Sequence, residues 1–178
     1  MNLNRGDLLP NLDPFKLELW INKPSSSPGT SLQYILSNTL SGAAGRVNFY
    51  ENLGKVIFAH ASSGLSLESL TTVNGESFTL RDDQWHKITV TRQPYDSNLD
   101  LFELYVDDIL HDSKTGANTL ILQTTRNWQL GGTTYVTTAD RAFKGLIDDV
   151  RVYLTPEPSG IVLLLMAGVM LLLRRRGR

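Results

Sequence analysis

The sequence predicts an all-β sandwich over residues 15–154, and three observations carry that prediction. Apolar residues recur with a period of two, turn-forming clusters separate the runs, and no stretch of ten residues repeats convincingly at the helical period. Phe15, Leu17, Leu19 and Ile21 alternate with Lys16, Glu18, Trp20 and Asn22, which gives a first strand with one apolar and one polar face. Lys23-Pro24-Ser25-Ser26-Ser27-Pro28-Gly29 ends it. Further strands are predicted at 33–37, 46–50, 55–60, 86–92, 101–106, 127–130 and 146–153. Between them lie Ser41-Gly42-Ala43-Ala44-Gly45, Asn52-Leu53-Gly54, Asn74-Gly75, Asp96-Ser97-Asn98 and Gly131-Gly132, each with turn chemistry. Many short strands spaced by turns point to a single sandwich of two antiparallel sheets.

Within strand 86–92, Ile88, Val90 and Arg92 share one face and Lys87, Thr89 and Thr91 the other. Trp85, just before it, is read as a plug in the seam between the sheets, because a large apolar body with one N–H suits such a seam. His86 is expected to pair within its sheet, and Gly145 to mark a bend or a close approach of two backbones.

The chain of 178 residues has no cysteine, so a disulfide framework is excluded. Without Glu157 and the four arginines that end the chain, 13 basic and 17 acidic side chains remain, a net of −4. No basic stripe is left to hold a phosphate backbone, and nucleic acid is not expected as a partner.

The C-terminus reads differently. Pro156-Glu157-Pro158-Ser159-Gly160 precedes an uncharged run from Ile161 to Leu173, and Arg174, Arg175, Arg176 and Arg178 follow. As a helix that run spans about 20 Å, short of the ~30 Å hydrocarbon core, so crossing needs a thinned bilayer or snorkelling arginines. A buried terminal helix is the alternative, but the run is apolar on every side. If it spans, the arginines stay cytoplasmic and residues 1–155 lie on the far side.

Motif, short apolar helix and terminal arginine cluster together resemble the PEP-CTERM sorting signal of Gram-negative bacteria. The resemblance implies an exosortase, a membrane enzyme with a cysteine nucleophile, as a partner that reads Pro156, Glu157 and Pro158 and cuts there. It also implies a link to extracellular polysaccharide and biofilm. Thr155 stands where that family commonly has valine. At the other end, Met1 to Asp7 offers no leader of the kind that precedes exported chains, so either a signal peptide is missing or the true start lies upstream.

Three motifs resemble, in order and spacing, the LamG-like domains of the concanavalin A-like lectin and glucanase superfamily. They are Asp83-Gln84-Trp85-His86-Lys87-Ile88-Thr89-Val90-Thr91-Arg92, Leu104-Tyr105-Val106-Asp107-Asp108, and Phe143-Lys144-Gly145-Leu146-Ile147-Asp148-Asp149-Val150-Arg151-Val152-Tyr153. Leu19-Trp20-Ile21-Asn22 resembles that family's early strand, and Trp128-Gln129-Leu130-Gly131-Gly132 the strand before its penultimate loop. The resemblance implies a concanavalin A-like jelly roll. It also implies a strand or two before the Trp20 strand, the earliest beside the final one, and only Asn2 to Asp13 is left to supply them. Three segments result: a poorly defined 1–14, the sandwich at 15–154, and a tail at 155–178 with its membrane helix at 160–173.

Catalysis is not expected. The glucanase branch projects carboxylates from one strand with a Glu-x-Asp-x-(x)-Glu spacing, and no such triplet occurs. His60, His86 and His111 stand beside no recognised nucleophile motif. The resemblance implies one structural calcium, for which Asp148 and Asp149 are the candidate ligands, and alternation along a strand would let at most one of them serve it. Turn capping, or pairing with Arg141, Lys144 or Arg151, is the competing role. The candidate ligand-binding residues are Tyr95, Asn98 and Tyr135, since an exposed loop tyrosine beside polar groups such as Asn98 would suit a sugar ring. The function expected is a surface or matrix binding module for polysaccharide or another extracellular protein; a purely structural matrix component is the alternative, and a glycoside hydrolase the least favoured.

Overall fold

The computed structural model describes residues 9, 13–27, 32–38, 47–60, 63–119, 128–132 and 141–154. They form twelve strands: β1 (Phe15–Asn22), β2 (Gln33–Ser37), β3 (Val47–Asn52), β4 (Lys55–His60), β5 (Leu65–Glu68), β6 (Thr72–Val73), β7 (Glu76–Ser77), β8 (Trp85–Pro94), β9 (Leu99–Val106), β10 (Ile109–Ala117), β11 (Gln129–Leu130) and β12 (Leu146–Leu154). One antiparallel sheet runs β10-β9-β8-β1-β12 and the other β11-β2-β3-β4-β5, with β6 and β7 as a separate hairpin. This is the all-β sandwich of two antiparallel sheets that the alternation predicted, in the jelly-roll form that the resemblance implied.

The core lies between the two sheets. Phe15, Leu17, Leu19 and Ile21 of β1 meet Val47, Phe49, Val56 and Phe58 of the opposite sheet, all essentially without solvent contact. Burying one such side chain contributes on the order of 1.5–3 kcal/mol. Two-residue hairpin turns fix the register. Asn74-Gly75 and Asp107-Asp108 both have positive φ at each position, the mirror-image turn whose twist matches paired strands. Leu53-Gly54 does the same, and a Cβ on Gly54 would sit 2.3 Å from Thr79 Oγ1.

Four strands, β5, β6, β7 and β10, escaped the alternation rule, and β6 and β7 are only two residues each. β10 is an edge strand with most positions exposed, so its sequence Ile109-Leu110-His111-Asp112-Ser113-Lys114-Thr115-Gly116-Ala117 has no apolar face to show. β5 is only four residues long. Among the described residues β12 pairs with β1, and Leu9 is fully buried in the core; the segment expected to supply an earlier strand, Asn2 to Asp13, lies almost wholly outside the described residues.

One end of the sandwich is closed by buried charge. Lys23 and Glu51 have fully buried side chains, with Lys23 Nζ 3.3 Å from Glu51 Oε2. Glu51 Oε1 also accepts from Arg81 Nε at 2.8 Å and from the Gly54 N–H at 2.7 Å. The Lys23 ammonium donates to Gln33 Oε1 and stands 5.1 Å from the centre of the Phe143 ring. Burial lowers the Lys23 pKa, against the opposing pull of Glu51. These contacts join the end of β1, strands β2 and β3, and the segment leading into β8. Gly145 packs against the same end, where a Cβ would meet Asn22 O at 2.5 Å, as expected of a close approach.

Removing one partner of a buried pair strands the other charge, which costs about 3–5 kcal/mol. Glu51→Gln should therefore lower the urea midpoint by a loss of that size, and adding Lys23→Met should recover part of it. A loss below ~1 kcal/mol would mean that the network does not hold this end together.

Candidate functional site

Alternation decides which side chains leave the core. Because Leu19 and Ile21 point inward, Trp20 points outward; because His86, Ile88 and Val90 are buried, Trp85 points outward as well. Trp85 is 43% exposed and Trp20 is 37% exposed. The expectation that Trp85 plugs the seam is thus wrong, and the fully buried tryptophan is Trp128. The correct answer was present in the sequence, since Trp85 shares its parity with Lys87, Thr89 and Thr91.

Strand order brings the two indoles together. On β1, Trp20 pairs with Lys87 of β8 on one side and Asp148 of β12 on the other, and Asn22 pairs with Trp85. Trp20 and Trp85 therefore stand diagonally on one face, within reach for side chains of this size. With Asp148 and Asp149 they line a depression of about 470 Å³.

A bulge explains why both carboxylates belong to it. The β1–β12 register shifts between Glu18, opposite Arg151, and Trp20, opposite Asp148. Two residues of β12 thus oppose one of β1, and Asp149 takes the left-handed conformation at φ 50° that aspartate tolerates. Ile147, Val150 and Val152 still pack on the core, while Asp148 and Asp149 both face solvent. Strict alternation would have allowed only one carboxylate per face, and the bulge overturns that limit.

Neither carboxylate is idle. Asp148 Oδ1 accepts the Asp149 N–H at 2.8 Å, and Asp149 Oδ1 accepts Arg151 Nε at 2.6 Å. The pairing with Arg151 is one of the competing roles foreseen for these aspartates. Calcium takes six to eight oxygens, yet one carboxylate here already holds a guanidinium. Among the described residues no group of three or more His, Asp or Glu gathers that could hold a metal. Asp148 and Asp149 by themselves supply at most four such oxygens, and Asp149 is already engaged by Arg151.

The start of β8 is held firmly, and so is Trp85. Asn22 Nδ2 donates to Asp83 O at 2.9 Å, and Asp83 N–H to Lys23 O at 3.2 Å. His86 lies with Nδ1 2.7 Å from Asp107 Oδ2 and Nε2 3.1 Å from Asp82 Oδ1, its ring edge-on to Phe78 at 5.6 Å. Burial works against a charged His86, but the hydrogen bonds and charges of Asp107 and Asp82 outweigh it and raise its pKa above the ordinary value. His111, on the other side of Phe78, accepts the Leu70 N–H at Nδ1, and burial pushes its pKa down.

The other predicted residues separate. Tyr95, 62% exposed, stands at a larger groove of about 850 Å³ between Ser63–Leu65 and Ser113–Ala117. Asn98 is not part of that groove's lining. Its N–H donates to Asp96 Oδ1 and its carbonyl accepts the Asn118 N–H, so it serves the turn before β9. Tyr135, the sorting motif Pro156, Glu157 and Pro158, the 160–173 helix and Arg174, Arg175, Arg176 and Arg178 lie outside the described residues. Among the described residues no helix is long and apolar enough to cross a membrane.

The two concavities differ in chemistry more than in size. The Tyr95 groove offers one aromatic ring and Lys114, which is bonded to Ser66 O and paired with Asp112. Ser63 in its wall is bonded to His60 at 2.7 Å, but the same Oγ accepts the Leu65 N–H and closes the β4–β5 turn. The smaller depression combines two exposed indoles with two carboxylates, and it is the stronger candidate.

The chain belongs to the concanavalin A-like lectin/glucanases superfamily, whose laminin G-type sequence model matches residues 2–156. No curated protein matches it in sequence. Among solved structures it is similar to the CBM40 of a Ruminococcus gnavus IT-sialidase, at 17% identity and a TM-score of 0.58, covering 86% of this chain and 83% of that one. It is also similar to the receptor binding domain of botulinum neurotoxin D, at 13% identity and a TM-score of 0.57, covering 96% of this chain but 41% of that one. Domains LG4-5 of the mouse laminin alpha1 chain match at 15% identity and a TM-score of 0.51, covering 81% of this chain and 37% of theirs. The chain thus spans less than half of the toxin and laminin structures it resembles, and likeness at these identities establishes the fold.

The histidines give a pH test. His86, with its pKa raised in the folded state, contributes stability that is complete below the unfolded value near 6.5 and is lost as pH rises through the folded value. His111, with its pKa lowered, contributes stability that is present above 6.5 and is lost as pH falls through its folded value. In urea titrations His86→Gln should therefore cost more at pH 5.5 than at pH 8.5, and His111→Gln the reverse. Equal costs at both pH values for both variants would remove this account.

Proposed function

We propose that this protein is a non-catalytic saccharide-binding module displayed outside the cytoplasm, with the face that carries Trp20 and Trp85 as its ligand seat. The observation that carries the proposal is the pair of exposed indoles beside Asp148 and Asp149 in one depression. A sugar ring presents apolar C–H faces that stack on an aromatic plane, and its hydroxyls donate to carboxylates held at the rim. Leaving two such large apolar side chains in water has no gain for the fold alone, whereas a ligand would cover them. The Ruminococcus gnavus module has been solved bound to alpha2,3 and alpha2,6 sialyllactose, which supports saccharide recognition on this type of sandwich.

Hydrolysis has little chemical support. Glu103 and Asp107, four residues apart in the chain, are separated in role: Asp107 is bound to His86 and to the Lys87 N–H, while Glu103 accepts from Thr91. A matrix component without a ligand remains the competing reading, and binding distinguishes the two. On a glycan array probed with the full chain in mild detergent, saturable binding should weaken at least tenfold in Trp20→Ala and Trp85→Ala, about 1.4 kcal/mol each. Tyr95→Ala should change it less. Absence of binding to every glycan, or binding indifferent to both tryptophans, would remove the proposal.

We also propose that the tail delivers this module. An exosortase-type enzyme would read Pro156, Glu157 and Pro158 once the 160–173 helix enters the membrane, with Arg174, Arg175, Arg176 and Arg178 held on the cytoplasmic side. Release to the surface or to an extracellular polysaccharide matrix would follow. Replacing both Pro156 and Glu157 by alanine should leave the chain uncut in the membrane fraction, seen as a heavier band on immunoblots. Unchanged processing would rule out recognition at that motif.

A further inference from the structure

Resting on the saccharide reading of the Trp20–Trp85 face, we propose that the depression selects sugars bearing a protonated amine and disfavours acidic ones. Trp20 and Trp85 supply two π-faces, and the charge around them is one-sided. Every lysine or arginine that shares the outward face of β1, β8 and β12 already has a carboxylate. Lys16 Nζ is 2.6 Å from Glu18, Lys87 Nζ 2.5 Å from Asp108, and Arg151 Nε 2.6 Å from Asp149. Asp148 carries no ion pair among the described residues, although it lines the depression between the indoles and Asp149. Glu103, further along the same face on β9, accepts from Thr91 and Gln93 and adds a second carboxylate with no lysine or arginine partner among the described residues.

That arrangement attracts a cation twice. An ammonium over an indole face is drawn by the ring quadrupole, and the uncompensated Asp148 carboxylate adds a Coulombic pull. A uronate or other acidic sugar would meet the same carboxylate with like charge, and among the described residues each lysine or arginine on this face is already paired with a carboxylate. The aromatic pair makes the seat for a ring, and Asp148 sets the sign of the charge the seat prefers. A neutral sugar still stacks, so the amine adds selectivity to binding that exists without it.

The test is calorimetric titration of the full chain in detergent at pH 6 and low salt. The probes are a glucosamine tetrasaccharide, its fully N-acetylated counterpart, a galacturonate tetrasaccharide and choline. The glucosamine oligomer should bind about tenfold more tightly than the acetylated one, the size expected when a cation–π contact and one exposed charge pair act together. The galacturonate oligomer should bind most weakly. Asp148→Asn should bring the ratio of glucosamine to acetylated affinity close to one, and Trp20→Ala should weaken both. If neutral and amino oligomers bind equally, or Asp148→Asn leaves their ratio intact, amine selection fails while saccharide binding stands. If choline competes as well as the amino oligomer, the seat reads a cation and not a sugar, and the proposal falls. If no oligomer binds, the saccharide reading and this inference fall together.

Discussion

The buried contact between Lys23, Glu51 and Arg81 is the constraint on which the working end of this molecule depends. Lys23 and Glu51, both at 0% exposure, are tolerable there only because each finds a partner, since the desolvation penalty is several kcal/mol per ion. Here the partners come from three separate places: the residue after β1, the end of β3, and the segment just before β8. Satisfying them therefore fixes how the entry to β8 meets the exit of β1. The Asp83 backbone, bonded to Lys23 and Asn22, passes that constraint on to Trp85 two residues later. A second clamp, His86 between Asp82 and Asp107, fixes the first turn of the strand from the other side.

Placement of the candidate site follows from that rigidity. Its four residues lie on three neighbouring strands, and two of them stand outside the core only because the strands alternate. The aspartates depend on a local defect in the sheet. Without the bulge, Asp149 would point toward the apolar layer now occupied by Ile147, Val150 and Val152, a cost that an unpaired carboxylate could not sustain. The bulge turns it outward, and Arg151 holds it there.

Membership of the superfamily sets a limit on what the fold can say. Similar sandwiches occur in a sialidase CBM40, a neurotoxin receptor binding domain and a laminin LG pair, at 13–17% identity. One scaffold thus underlies different kinds of protein, and function must be sought in the residues placed on it. On this chain the candidates are two exposed tryptophans and Asp148, a carboxylate with no ion pair among the described residues.

By itself the sequence determined eight of the twelve strands, because a period of two is a local property that a window of about eight residues displays. It also determined the faces: Trp20 lies out of step with Leu19 and Ile21, and Trp85 lies in step with Lys87, although reading it as a seam plug ignored that parity. β10 stayed illegible because an edge strand buries little and needs no apolar face. Only the tertiary structure decided that β1 runs between β8 and β12, that β12 bulges at Asp149, and that Lys23 meets Glu51. Those are pairings between residues far apart in the chain, selected by burial across the whole sandwich, and no local pattern records them. The four residues of the depression were all visible one by one, and what was hidden was that they are neighbours.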